Sequence, residues 1–503
     1  MVLHFNRWVK SVSVFVLLSC SVMGHVDAAE RDDCPLLATP NVPISDSDKE
    51  HRLRCGINWE PVAAADPNPG SPFAYLVTTT FDKQLCGDVR RDICKSNAIV
   101  MRTSASRGVM WGEGSVPCDA QCVQKVLDRF PVLHHYFPKW SASRETKKKY
   151  DLFEYDPSIA ICKNGKGTVF LSYLLGFIPG VMVQRSDDHG KSWSDAIPVG
   201  VSDRLLQTGG TDKPTIVVSE DCRNVYVTFS GEDANYVASS HDGGRHFSEP
   251  VQTSPVVSPN DEYHTWFSPN GAVDASGNVY FAEMLNNENN SDDVTLAIVS
   301  SMNRGVTWET HYLGKAFYAQ QCEPSKHCSV GYLTPQISIA SSVPHRAAIA
   351  FTQGSARGTP KKLYFSPDWQ QKDALKKAVL LNDKGDSSFP MISAGAHRCE
   401  YVVTWMDNRD APVQSPYSVE PFNMYLKKTR DCGITWSDEI LLSNVHERGI
   451  AKYKNEQGYA LPFGDYTGLA VNGFDDIFAI WGEGQTIDDE GDSWFRVLST
   501  GAQ

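Results

Sequence analysis

Between two glycines, Gly464-Asp465-Tyr466-Thr467-Gly468 sets a carboxylate beside a phenol. Asp407-Asn408-Arg409 sets a guanidinium two residues after another carboxylate, and Glu483, Asp212 and His264 stand in similar polar runs between apolar segments. These residue types have a common use. A carboxyl whose pKa is raised by like-charged neighbours can hold a proton near neutrality and deliver it. The planar fork of an arginine clamps an acidic group. A cleft with a phenol, an arginine and three carboxylates can bind a sugar, and can cleave one if a carboxyl protonates the leaving oxygen. Wet loops have the same composition, and a Gly-Asp turn needs no ligand. The elements that place these residues therefore decide what they can do.

The strongest organising signal is a repeated octapeptide. Ser186 to Trp193 (SDDHGKSW), Ser240 to Phe247 (SHDGGRHF), Ser301 to Trp308 (SMNRGVTW) and Thr429 to Trp436 (TRDCGITW) share the pattern S/T-x-D/N-x-G-x-x-W/F. A weaker copy, Ser104 to Trp111 (SASRGVMW), has Ser106 at the acid position. In such a turn the acid accepts backbone N–H groups, the glycine takes positive φ, and the aromatic plugs an apolar gap. The four full copies start 54, 61 and 128 residues apart, the last interval being close to two units. A decayed copy is expected at Tyr364-Phe365-Ser366-Pro367-Asp368-Trp369. Repeats of this length signal propellers, solenoids or arrays.

Short β-branched and aromatic runs stand in register upstream of the boxes: AYLVTTT from Ala74, TVFLSYL from Thr168, VYVTFS from Val225, VYFAE from Val279, AAIAFT from Ala347, YVVTWM from Tyr401 and IFAIW from Ile477. Before each lies a smaller apolar strand, usually starting at a proline: Pro61, Pro157, Pro214, Pro269, Pro335 and Pro390, with Thr467 as the seventh equivalent. Each unit reads as strands a, b, c and d, with the box turn between c and d. Helical periodicity is scarce, and the best candidate is Cys118 to Phe130. The chain is therefore expected to be all-β, a single propeller of four-stranded antiparallel blades, with seven blades favoured and six if the first and last units share one. A linear β-solenoid needs shorter repeats and lacks this rhythm. The expected division is 1–28 as a signal peptide, 29–55 as a segment closing the last blade, and 56–503 as the propeller.

In this architecture the box turns share one face, and the d–a and b–c connections ring the opposite channel mouth. The d–a ends carry Asn58-Trp59-Glu60, Tyr155-Asp156, Asp212-Lys213, His264-Thr265-Trp266, Tyr332, Ser387-Ser388 and Asp465-Tyr466. The b–c loops begin at Asp82-Lys83, Glu232-Asp233, Asn286-Asn287, Gln353, Asp407-Asn408-Arg409 and Glu483. This mouth is rich in acids, aromatics and hydroxyls. Asp465, Tyr466, Asp407, Arg409 and Glu483 come from neighbouring units and are expected to line one pocket.

Net charge is −13, a poor match for nucleic acid or an anionic membrane surface. Arg7 and Lys10 precede an apolar run from Ser11 to Met23, too short for a stable membrane anchor, and Val26-Asp27-Ala28 offers a cleavage site. Leu17-Leu18-Ser19-Cys20 offers a second processing route, a bacterial lipobox with a lipid anchor at Cys20. The chain reads as secreted or periplasmic, or else lipid-anchored at the envelope, with no transmembrane segment, and as a monomer. Twelve cysteines beyond Cys20 suit disulfides. Expected pairs are Cys86–Cys94, Cys118–Cys122, Cys322–Cys328, Cys399–Cys432 within one unit, and Cys162–Cys222 between units. No zinc-type spacing is present, and no metal or cofactor is expected.

The boxes and strand pattern over roughly residues 56–500 resemble the sialidase superfamily, with its Asp-box or bacterial neuraminidase repeats. That resemblance implies a propeller acting on glycans or glycoconjugates, with a Tyr–Glu nucleophile pair, an Asp acid/base and arginines for a substrate carboxylate. Carried onto this chain, it makes Tyr466 a nucleophile activated by Glu483, with Asp465 beside it. Asp212 or Asp407 becomes the general acid, Arg409 the clamp, and His264 a substrate contact. Arg204, Arg357, Arg409 and Arg448 are mouth candidates that no motif assigns, and the first unit lacks the Arg-Ile-Pro of that superfamily. Two functions stay open: an exported sialidase-like glycoside hydrolase, and a non-catalytic exported propeller that binds glycan or protein at its mouth.

Overall fold

The computed structural model describes residues 51–52, 57–81, 97–112, 114–118, 120–129, 154–175, 180–201, 211–231, 234–254, 263–287, 293–317, 335–356, 358–410, 422–443, 467–483 and 492–499. Seven antiparallel sheets follow one another along the chain. Seven apolar clusters fill the seams between neighbouring sheets, including the seam that joins the last to the first. The fold is a seven-bladed propeller, not a six-bladed one. Middle strands such as Val225–Ser230 and Tyr401–Asp407 are buried along their whole length, because each packs a blade on both faces.

The seventh sheet consists of Gly468–Val471, Ile477–Glu483, Asp492–Leu498 and His51–Arg52. The outer strand comes from the N-terminal side, with His51 opposite Phe495. An ion pair from Arg107 to the fully buried carboxylate of Asp476, at 2.6 Å, also links the first and seventh blades. Two blades depart from four strands. The first is three-stranded (Ile57–Ala65, Ala74–Phe81, Asn97–Ser104), and an isolated Met101–Ser115 bridge takes the outer position. In the fourth, Tyr263–Phe267 and Gly271–Val273 both pair with Val279–Asn287, giving five strands.

The inner strands correct one expectation. They do not start at the prolines. Ile57–Ala65, Glu154–Ile161, Asp212–Val218 and Ser387–Ala394 begin two to four residues earlier, and the ladder register shifts across the proline. The residue before each proline has positive φ: Glu60 at 50°, Asp156 at 53°, Lys213 at 51° and Phe389 at 49°. Proline has no N–H to lose at a bulge, so the pair forms a kink that the ladder tolerates.

The box turns share one geometry. Ser186 Oγ accepts the Gly190 N–H at 2.8 Å, and Asp188 Oδ1 accepts the Ser192 N–H at 2.9 Å. The same bonds recur at Ser240/Gly244 with Asp242/His246, Ser301/Gly305 with Asn303/Thr307, and Thr429/Gly433 with Asp431/Thr435. In the first blade the Ser106 hydroxyl replaces the acid and accepts the Met110 N–H at 2.8 Å. At the decayed box the Ser366 hydroxyl donates to the Asp368 backbone carbonyl instead of to its side chain, and Trp369 is still buried.

The helix forms at Ala120–Arg129 and packs Val123, Val126 and Leu127 onto the seam between the first two blades. Cys118–Cys122 staples its start. Cys162–Cys222 bridges blades 2 and 3, and Cys399–Cys432 joins the a–b turn of blade 6 to its box, with Cα atoms 5.3 and 4.4 Å apart. Cys86, Cys94, Cys322, Cys328, Cys20 and the signal segment lie outside the described residues. Among the described residues no helix is long and apolar enough to cross a membrane.

Candidate functional site

The inner strands of all seven blades line a central channel cavity of about 260 Å³. Ser158, Thr215, Asn270, Ser341, Ser393 and Thr467 give it a hydroxyl and amide wall. Side chains tie several inner strands to the next: Ser158 Oγ accepts the Ile216 N–H, Asn270 bonds both backbone groups of Ile339, and Ser338 Oγ accepts the Ile392 N–H. This lining fixes the relative height of the blades, and so the height of the residues above it.

Above Ser158 and Thr215 the kinked strand starts bring together Glu60, Asp156, Asp212 and Lys213. Glu60 Oε2 accepts the Asp156 N–H and the Thr79 hydroxyl, each at 2.9 Å, spanning blades 1 and 2. Lys213 Nζ lies 3.4 Å from Asp156 Oδ1 and 3.7 Å from Asp212 Oδ1, spanning blades 2 and 3. Asp212 Oδ1 also accepts its neighbour's N–H, from Lys213, at 2.9 Å. The side chain of Asp156 is 4% exposed and that of Asp212 is 51% exposed, so one acid is buried and the other half open to solvent.

The two aspartyl carboxyls meet, and both titrate high. Burial is the main cause for Asp156, reinforced by the charge of Glu60, and raises it to about 7. Desolvation raises Asp212 to about 7 as well, with Asp156 adding to the shift and Lys213 opposing it. The Asp212 side chain is half exposed, so it feels this desolvation less than Asp156 does. Two touching carboxyls that cannot both ionise cheaply share a proton near neutrality. The arrangement can give a proton to a group in the channel mouth and take one back.

The structure distributes the other sequence candidates differently. Asp407 and Arg409 come together in the seam between blades 5 and 6. The Arg409 fork bonds Asp407, Glu439 and Asn382 and stacks on the Tyr425 ring at 4.0 Å. Asp407 is fully buried and also accepts the Trp405 indole N–H at 2.8 Å. Burial pushes the Asp407 carboxyl up against the opposing pull of Arg409. The fork is thus turned inward and held by the protein. The His264 backbone pairs with Asn286, and Glu483 ends a seventh-blade strand opposite Asp492. Asp465 and Tyr466 lie outside the described residues, directly before Thr467, which lines the channel. Arg204, Arg357 and Arg448 also lie outside them.

No protein family model and no curated protein matches the chain. Solved structures do. An ulvan lyase of polysaccharide lyase family PL25 aligns at 11% identity with a TM-score of 0.46, over 88% of this chain and 95% of that one. The Hadza microbial sialidase Hz136 aligns at 13% and 0.41, over 69% of this chain and 66% of that one. A variant of NanB sialidase from Streptococcus pneumoniae aligns at 11% and 0.41, over 94% and 72%. At these values the likeness assigns neither a reaction nor a residue to this chain.

Sequence reading placed Glu60, Asp156 and Lys213 at the mouth without choosing them. The signal that marks them is a charged residue directly before the inner-strand proline: Glu60-Pro61, Asp156-Pro157 and Lys213-Pro214. It becomes legible once the kink is known to hold that residue at positive φ, a conformation that costs a non-glycine residue about 1 kcal/mol or more. The kink belongs to the blade design, since Phe389 adopts it too. The chemistry comes from what blades 1, 2 and 3 place there.

Proposed function

We propose that this chain is an exported glycan-active propeller, a glycoside hydrolase working at its channel mouth with the Asp156–Asp212 pair as proton source. The pair itself carries the proposal. It consists of two carboxyls in contact, one buried and one half open, both titrating near 7, beside a cation. Cleaving a glycosidic bond requires a proton on the leaving oxygen and a second group opposite to stabilise an oxocarbenium-like state. Asp212, the half-open one, donates. Asp156, ionised, keeps the shared proton on Asp212 until transfer, and the Lys213 ammonium then offsets the two carboxylates left behind. Tyr466, next in the sequence to channel-lining Thr467 and activated by Glu483, is the proposed second group. A sialoside is the substrate to try first, on the family resemblance of the box turns.

The test is hydrolysis of a panel of aryl glycosides and sialosides by the mature chain, with Asp212→Asn and Tyr466→Phe alongside. The expected result is turnover by the wild type with a pH optimum near neutrality, reduced by both substitutions. Glycan binding without turnover by the wild type would support the non-catalytic reading instead. Full turnover by Asp212→Asn would remove the pair from the reaction.

A further inference from the structure

Four buried polar side chains face the seam between blades 3 and 4. Tyr226 packs against Val279, Phe281 and Val299 of blade 4, while Val225, Val227 and Phe229 pack toward blade 2. Strand alternation therefore aims Thr228 and Ser230 at blade 4. Ser230 lies opposite Asn235 in the ladder, so the two share that face. From the other side, Phe281 belongs to the same seam, and Glu283, two residues on, points with it. Exposure is 0% for Thr228, 6% for Ser230, 1% for Asn235 and 0% for Glu283. Thr228 Oγ1, Ser230 Oγ, Asn235 Oδ1 and both Glu283 carboxylate oxygens lack a well-formed hydrogen bond, although the Asn235 side chain is turned toward the carboxylate.

A carboxylate in such a place is costly unless something compensates it. Protonation supplies one O–H and satisfies one acceptor, leaving the remaining oxygens as they were. A hard cation engages all of them at once. Calcium takes about six to eight oxygen ligands, accepts a bidentate carboxylate and tolerates irregular geometry, so the five oxygens here leave positions for backbone carbonyls or water, whereas magnesium demands near-ideal octahedral geometry. We propose that this seam binds one calcium ion through Glu283, Thr228, Ser230 and Asn235. Ser230 also pairs with Asp212 in the ladder, so the ion would brace the strand end that carries the open mouth acid.

The experiment uses the full mature chain, stripped with EDTA, titrated calorimetrically with CaCl2 or MgCl2, and melted with and without each ion. One calcium per chain is expected, with a melting temperature raised by several degrees and no comparable effect of magnesium at equal concentration. Glu283→Gln should abolish both calcium effects while melting no lower than the stripped wild type, since it removes a buried charge. Thr228→Val keeps the shape, loses one oxygen, and should weaken calcium binding by about tenfold or more. It also decides the matter if Glu283→Gln does not fold. Absence of calcium binding by the wild type overturns the proposal, as does binding that Thr228→Val and any folded Glu283→Gln protein retain at full affinity.

Discussion

On one rim of the propeller, five turns repeat the same hydrogen bonds. On the other, four blades place different side chains at the same backbone position. The box glycines sit at φ of 80–87° and press against the preceding blade: Gly108 on Phe478, Gly190 on Met101, Gly244 on Phe170, Gly305 on Tyr226 and Gly433 on Phe365. Uniformity there follows from a uniform task, the locking of one blade onto the next. The mouth kink also recurs, but it presents Glu60, Asp156, Lys213 and Phe389 in turn. A repeat that keeps its backbone and varies its side chains is how one scaffold builds an asymmetric site. Changes on the mouth rim should therefore alter chemistry with little loss of stability, and changes on the box rim should do the reverse.

The largest effect is expected at Asp212. Asp212→Asn should lower kcat by about 10²–10⁴, the usual contribution of a positioned proton donor. Its melting temperature should stay at or above that of the wild type, because half of the side chain is open and the lost charge is a desolvated one. Paired rate and melting measurements check this. A variant that is inactive because it is unfolded would erase the contrast between the rims.

Next in size is Gly433→Ala. Gly433 has φ of 87°, and a Cβ there would come within 2.3 Å of the Phe365 ring. Backbone strain and overpacking together should cost about 2–4 kcal/mol. Turnover per folded molecule should not change, as chemical denaturation combined with active-site titration would show. A large loss of kcat in the folded fraction would mean that the box rim also controls the mouth.

These two residues also show what was legible in the sequence. The box is a local object of eight residues, so its spacing, its glycine and even the Ser106 replacement could be read directly, and the blade count followed. The site is assembled across blades, with Asp156 meeting a residue 96 positions away in Glu60 and one 57 positions away in Lys213. No window along the chain contains that contact. Arg409 illustrates the opposite error. Its type and loop position suit a ligand clamp, but Glu439 and Asn382, 30 and 27 residues distant, occupy its fork. Glu283 read as the end of a strand, because only the facing blade shows that its carboxylate lies among oxygens.

A third, smaller test uses pH on the mouth rim. The Asp156 carboxyl sits near 7 in the fold, against about 3.9 in an unfolded chain. The sign follows from linkage: ionising it costs the native state nothing below pH 4, increasingly more up to 7, and a constant amount above. Wild-type stability should therefore fall through this window, and Asp156→Asn should flatten the fall. Sharing of the proton with Asp212 reduces the effect to about 1–2 kcal/mol between pH 5 and pH 8. Urea denaturation of both proteins across that range provides the measurement, and parallel curves would show that Asp156 is not held protonated.

The smallest effect belongs to a box acid. Two bonds from Ser192, through its side chain and backbone, depress the Asp188 carboxyl to about 2, so its stabilising charge is present above pH 4 and lost as pH falls through 2. Asp188 is only partly buried in its turn, and solvent screens much of that charge. Blade 4 contains the control already: Asn303 fills the same position, and its amide oxygen accepts the Thr307 N–H at 2.9 Å, the distance found at Asp188. What the turn needs is an acceptor rather than an anion. At pH 7, Asp188→Asn should cost less than about 0.5 kcal/mol, whereas Asp188→Ala, which leaves turn donors without that acceptor, should cost about 1 kcal/mol. Thermal melts of the two variants separate these contributions. If asparagine proves as damaging as alanine, the charge itself holds the turn, and blade 4 must be stabilised by some other means.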